Sequence, residues 1–311
     1  MAGIANTWIR LNLRLSTLLM RKGGVPFARV SQDKIGKLGA KVVGRRVELV
    51  PHAFEAFQAC WALPQNAGHG GAILYLHGGG YTAGSIEYAI GFGSILAAET
   101  GRRVFCAAYR LAPEHPFPAA LEDAFAAYRH LLDSGLAPGD IALCGESAGG
   151  GLCFALACKI REEGLPLPAA IVGISPWTDL TLSGASCLAN RRSDPSLRHD
   201  LLAGFARMYA QDALRDPYVS PLFGDLHGLP PALLFAGEDE LLLDDAVAMT
   251  HALEQAGCPV ELHTAKGMWH VYVLYGVREA RAARARIASF LDEHLASKPA
   301  PIYEDEDDEE P

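Results

Sequence analysis

One stretch constrains this chain more than any other: Ile141-Ala142-Leu143-Cys144-Gly145-Glu146-Ser147-Ala148-Gly149-Gly150-Gly151, in which G-x-S-x-G joins a short apolar run to an alanine-rich one. The pattern calls for a strand, a sharp turn and a helix. A serine lifted out of the chain on a strained turn leaves no room for side chains two residues before or after it, and Gly145 and Gly149 meet that demand. Ile141 to Cys144 is apolar throughout, as a parallel strand buried on both faces requires. Leu152, Leu156 and Lys159 then recur at helical spacing until Gly164 and Pro166 end the run. A bare G-x-S-x-G also fits a plain glycine-rich loop. Reading Ser147 as a nucleophile therefore turns on finding an oxyanion site upstream, and an acid and a histidine downstream in that order.

The remaining periodicities supply a frame for such an elbow. Residues 72–76, 103–109, 170–174, 232–236 and 260–264 read as strands. Residues 86–100, 119–134, 245–256 and 277–296 read as helices, the first three closed by Gly101, Gly135 and Gly257. Alternation of this kind gives an α/β protein with a mostly parallel central sheet flanked by helices. Ahead of it, residues 1–40 read as helical with a break at Gly23-Gly24-Val25-Pro26, and 41–50 and 54–63 as an antiparallel pair turning at Pro51-His52. Residues 180–214 interrupt the rhythm and exceed an ordinary crossover. Inserted at the carboxyl ends of the strands they would lie over Ser147, so they are expected to form a helical cap with residues 1–40; an extra packing layer is the alternative.

Composition narrows the class. Half of the 311 residues are hydrophobic, enough for a large core, and no uncharged apolar run approaches a membrane span. Arginines occupy the N-terminal positions where a signal peptide would have its apolar centre. Seven cysteines (60, 106, 144, 153, 158, 187 and 258) make an odd number with no C-x-x-C pair, which favours a reducing, cytoplasmic setting. A net charge of −9 argues against nucleic acid as a partner. Residues 304–310 carry seven of those negative charges, leaving −2 for the rest, and 301–311 read as a disordered acidic tail.

The upstream requirement is met by His77-Gly78-Gly79-Gly80-Tyr81, directly after the first apolar parallel strand. Consecutive glycines let backbone N–H groups turn toward an oxygen with no Cβ in the way. Gly78, Gly79 and the amide of Ala148 are the expected oxyanion donors. His77 precedes the serine and is read as structural, because the base comes last in this order. That base is His270, in the last loop able to reach the serine, whereas His251 and His263 fall inside a helix and a strand. An imidazole suits the task because its pKa lies near neutrality. The acid lies in Gly237-Glu238-Asp239-Glu240, where three adjacent carboxylates leave the choice open; Asp244 and Asp245 read as caps of the next helix.

These motifs, with Tyr109 to Ala120 (YRLAPEHPFPAA), Ser175 to Leu180 (SPWTDL) and Asp216 to Pro221 (DPYVSP), resemble the hormone-sensitive-lipase branch of the α/β-hydrolases over residues 72–275. Members of that branch are bacterial esterases with an H-G-G-G loop and a G-[DE]-S-A-G-G elbow. The resemblance implies an α/β-hydrolase fold, with a core over 41–179 and 215–300 and a cap from 1–40 and 180–214. It also implies hydrolysis of short- to medium-chain carboxylic esters through an acyl-enzyme, without metal or cofactor. It favours Asp239 as the acid, with Glu240 as runner-up. Arg110 and Glu114 are expected to hold a proline-fixed loop beside the oxyanion glycines, and Glu146 to point away from substrate. The expected partner is a small-molecule ester or lactone, with no nucleic acid and no membrane span; a homodimer is left open. Lactone hydrolysis, peptidase chemistry and a non-catalytic small-molecule receptor are the competing functions.

Overall fold

In the computed structural model, which describes residues 4–66 and 68–295, the apolar runs become six parallel strands. They are β3 (Ala72–Leu76), β4 (Arg103–Ala108), β5 (Ile141–Glu146), β6 (Ala170–Ile174), β7 (Ala232–Gly237) and β8 (Val260–Ala265), preceded by β1 (Val47–Ala53) and β2 (Gln58–Pro64). The sheet order is β1-β2-β4-β3-β5-β6-β7-β8. β1 and β2 are antiparallel, and β2 is antiparallel to β4. Pro51 and His52 lie within β1, paired with Cys60 and Ala59, so the expected turn moves to the four residues between the strands, where Phe54 N–H donates to the Phe57 carbonyl. The edge position lets β1 carry a proline, whose missing N–H would break an interior ladder.

Period-two alternation divides the central strands between two apolar layers. Leu74, Leu76, Ile141 and Leu143 face one layer, and Ile73, Tyr75, Ala142 and Cys144 the other. The first is covered by α3 (Ala119–Asp133), α4 (Ala148–Glu162) and α7 (Leu243–Gln255), the second by α2 (Ile86–Thr100) and α8 (Arg278–His294). α2 begins at Ser85, whose hydroxyl accepts from the Tyr88 N–H, and ends at Gly101 in the left-handed region, as the sequence predicts. Asp244 and Asp245 correct their expectation. They lie inside α7 rather than capping it: Asp244 accepts from the Ser186 N–H, and buried Asp245 accepts from the amides of Thr178 and Asp179.

The N-terminal helix α1 runs from Ile4 to Val43, kinked at Gly24 (φ 60°) beside Pro26, so it extends a few residues beyond the expected boundary. Its second half packs backbone to backbone on α2, where a Cβ at Gly36 would come within 2.1 Å of the Glu87 carbonyl. Residues 180–214 contribute α5 (Ser186–Ala189) and α6 (His199–Ala210). All seven cysteines are buried free thiols. No helix among the described residues is long and apolar enough to cross a membrane. The expected acidic tail lies outside the described residues.

Candidate active site

Ser147 sits between β5 and α4 with φ 54° and ψ −122°, a conformation non-glycine residues rarely adopt. Its N–H donates to the Ile174 carbonyl, and its own carbonyl accepts from Gly151 and Trp177. The neighbouring glycines are forced by contact. A Cβ at Gly149 would lie 2.0 Å from the Leu76 carbonyl oxygen, and one at Gly145 would lie 2.3 Å from that of Gly149.

His270, in the loop after β8, brings Nε2 to 2.9 Å from Ser147 Oγ. Both residues are buried. The loop is seated on the end of β7, where a Cβ at Gly237 would strike the Met268 carbonyl at 2.5 Å. On the far side of the ring, Nδ1 faces the fully buried carboxylate of Glu240 at 3.6 Å. That separation exceeds a hydrogen bond, and His270 Nδ1 and Glu240 Oε1 are both buried without a hydrogen-bond partner. Glu240 Oε2 accepts from Ser175 Oγ at 2.7 Å, and Ser175 Oγ accepts from the Val271 N–H at 3.0 Å, so one hydroxyl ties the carboxylate to the histidine loop.

The expectation for Asp239 is corrected by this geometry. Its carboxylate points outward to Arg10 of α1, 2.8 Å away. Arg10 also donates to the Gly267 and Ser193 carbonyls. Both lie in the turn that follows β7, where the Glu240 N–H donates to the Gly237 carbonyl, and this turn sends Asp239 outward and Glu240 toward His270.

Gly78 is corrected as an oxyanion donor. Its N–H is already given to Glu146 Oε1 at 2.6 Å. Among the described residues, no acceptor is paired with the amides of Gly79, Gly80 or Ala148. Gly79 and Gly80 line the cavity above Ser147 at φ 118° and 62°. Glu146 is buried at the border of the cavity, and its other oxygen accepts from the Tyr75 hydroxyl. Burial raises its pKa to about 7, against the lowering effect of these hydrogen bonds. His77 stacks on Tyr109 with ring centroids 4.3 Å apart, and its Nδ1–H donates to the Gly78 carbonyl. Burial lowers its pKa to about 4, so it is a neutral structural residue. Arg110 does not join Glu114: it binds Asp123, while Glu114 binds Arg29 of α1. Arg29 also donates to the Thr82 and Ala112 carbonyls, so the cap helix itself holds the loop beside the glycines.

Above Ser147 and His270 lies a cavity of about 700 Å³, roofed by Ile9, Leu13 and Met20 of α1 and Leu201 and Phe205 of α6. The third glycine serves this roof, since a Cβ at Gly80 would come within 2.7 Å of the Phe205 ring. A deep hydrocarbon-lined cavity ending at a serine–imidazole pair can hold an acyl or alkyl group against a nucleophile. Sequence reasoning underweighted Glu240 and missed Gly80, Ser175 and Arg10. The signal that the sequence offered for Glu240 is its place directly before the apolar run Leu241-Leu242-Leu243, of which the first two residues are fully buried in the structure.

Residues 73–274 match a family described by the alpha/beta hydrolase fold. The chain is 42% identical to an acetyl-hydrolase of Streptomyces hygroscopicus, over 87% of this chain and 91% of the relative. It is 36% identical to an esterase of Acinetobacter venetianus, over 70% of this chain and 73% of the relative. Among solved structures, an esterase from the bacterial hormone-sensitive lipase family shares 36% identity and superposes with a TM-score of 0.86, covering 95% of this chain and all of that one.

Proposed function

The chain belongs to the α/β-hydrolase family, in its hormone-sensitive-lipase-like branch, and we propose that it is a carboxylesterase whose acyl-enzyme forms on Ser147, with His270 as base and Glu240 as the acid. The observation that carries this reading is the 2.9 Å approach of His270 Nε2 to Ser147 Oγ at the floor of the cavity. His270 takes the hydroxyl proton as Ser147 attacks the ester carbonyl, and returns it to the departing alcohol. Water, deprotonated by the same imidazole, then releases the acid. Developing charge on the carbonyl oxygen is met by the amides of Gly79, Gly80 and Ala148. Closing the 3.6 Å gap between Glu240 Oε2 and His270 Nδ1 would satisfy the buried, unpaired Nδ1 as the imidazolium forms, so the acid acts most strongly at the transition state.

The cap of this enzyme comprises α1 and the insertion carrying α5 and α6, set over a core of the remaining described residues. Its apolar roof and the acetyl-hydrolase and esterase kinship support short- to medium-chain esters as substrates. The complete serine–histidine pair speaks against a non-catalytic receptor. The test is hydrolysis of 4-nitrophenyl esters of graded acyl length, with lactones and anilides in parallel. Ser147→Ala should fold and lose several orders of magnitude in kcat. Turnover of anilides in preference to esters would replace the esterase reading with a peptidase.

A further inference from the structure

The first half of α1 has two apolar faces, and only one is used by the enzyme. Ile9, Leu13 and Met20 face the cavity. From Trp8 at the margin of that face, a second stripe runs away from the cavity through Leu11, Leu15 and Leu18 at i+3, i+7 and i+10, the spacing of one helical face, and all four are more than half exposed (67, 66, 56 and 53%). Scattered exposed leucines need no explanation, whereas a contiguous stripe on one helix does.

The charges around the stripe indicate what covers it. Residues 4–32 contain Arg10, Arg14, Arg21, Lys22 and Arg29 and no acidic residue. The cap loop through 191–196 lies along the flank of the helix, where Arg14 donates to the Arg192 carbonyl and Thr17 to those of Pro195 and Ser196. That contact adds exposed Arg191 and Arg192 beside the stripe. Arg14, Lys22, Arg191 and Arg192 form no ion pair with a carboxylate among the described residues, although Arg21 pairs with Asp200. A second copy of the chain would be a poor occupant. Two-fold pairing sets the same patch against itself and would bring these cations together. A negatively charged lipid surface satisfies both the stripe and its cationic border.

We propose that the outward face of α1 docks the enzyme on anionic lipid bilayers, lying in the interface without crossing it. Trp8 belongs both to this stripe and to the cavity lining. The docked face is therefore continuous with the cavity entrance, and an apolar ester dissolved in the bilayer reaches Ser147 along hydrocarbon.

Co-sedimentation of the full chain with phosphatidylcholine vesicles, with and without a minority of phosphatidylglycerol, tests the docking. The readout needs no turnover, so it stands apart from the esterase reading. The wild type should bind the anionic vesicles roughly tenfold more than the neutral ones and be released by salt. Leu11→Glu/Leu18→Glu should abolish binding while hydrolysis of a water-soluble ester, which reports folding, is unchanged; neither residue lines the cavity. If that variant does not fold, Lys22→Glu/Arg192→Glu serves in its place with the same expected loss. Equal sedimentation with and without anionic lipid, or none with either, overturns the proposal. So does a dimer in sedimentation velocity that the Leu11→Glu/Leu18→Glu variant abolishes, since the face would then belong to a second copy.

Discussion

At the residue scale, the proposed acid is distinguished by direction rather than by carboxylate type. Asp239 and Glu240 are adjacent, but one is turned to Arg10 and the other is sealed beneath His270. Glu240→Gln should therefore lower kcat by about three to four orders of magnitude, because an amide cannot stabilise the imidazolium, while Asp239→Asn keeps kcat within about tenfold. Single-turnover acylation rates for the two variants check this, and the reverse ranking would return the role to Asp239. Glu146 gives a pH prediction. Its pKa rises from the ordinary 4.5 to about 7 on folding, because burial disfavours the charge. The native state then holds a proton that the unfolded chain has lost. The resulting stability is fully present below about pH 4.5 and disappears as the pH rises through about 7. Urea unfolding from pH 4 to 8 should show the wild type losing on the order of 3 kcal/mol relative to Glu146→Gln across that window. That Ser147 and His270 meet was legible in the sequence, because order and motif place both at one end of the sheet. The inward turn of Glu240 and the contact of Gly80 with the roof were not, because three carboxylates and three glycines in a row differ only in where the backbone points each one.

At the element scale, α1 behaves as a strap whose anchors include Arg29, on the loop beside the glycines, and Arg10, on the turn that bears Asp239 and the loop that leads to His270. Arg10 spans three segments, donating to Asp239, Gly267 and Ser193, and its guanidinium lies 5.9 Å from the Trp269 ring centre. With Arg10 and Asp239 only a fifth to a third exposed, its loss should cost more than a surface pair does, about 2 kcal/mol. Arg10→Ala and Asp239→Asn should each lower stability, and the double variant should fall short of their sum, the mark of a shared interaction in a double-mutant cycle. Additive losses in urea denaturation would mean the two side chains act independently. The elements themselves were readable wherever apolar period and glycine stop agreed, as in α2 and its cap at Gly101. The β1–β2 turn was misplaced because Pro51 signals a turn in sequence, yet an edge strand tolerates it.

At the scale of the whole molecule, parallel β3 to β8 and their covering helices follow from alternation alone, since a parallel sheet needs crossovers and crossovers need helices. What alternation cannot supply is the seat of the N-terminal segment, for a helix outside the βα rhythm has no neighbour dictated by topology. Its place is set by non-periodic details: Gly36 against the backbone of α2, and Arg10 and Arg29 against loops remote in sequence. Because that seat roofs the cavity, removal of residues 1–20 should act on substrate choice before chemistry. Ile9, Leu13 and Met20 would no longer hold a longer acyl chain against the α6 side of the cavity. KM for hexanoyl esters should therefore rise several-fold more than KM for acetyl esters, while the acylation rate of bound acetyl ester falls less. Solubility should fall at the same time, because the apolar cluster against which Ile9 and Leu13 pack loses part of its cover. Steady-state kinetics across an acyl series measure the effect directly. A KM ratio between the two chain lengths that is the same with and without residues 1–20 would make this half of α1 a packing layer, leaving α6, α2 and the second half of α1 to shape the pocket.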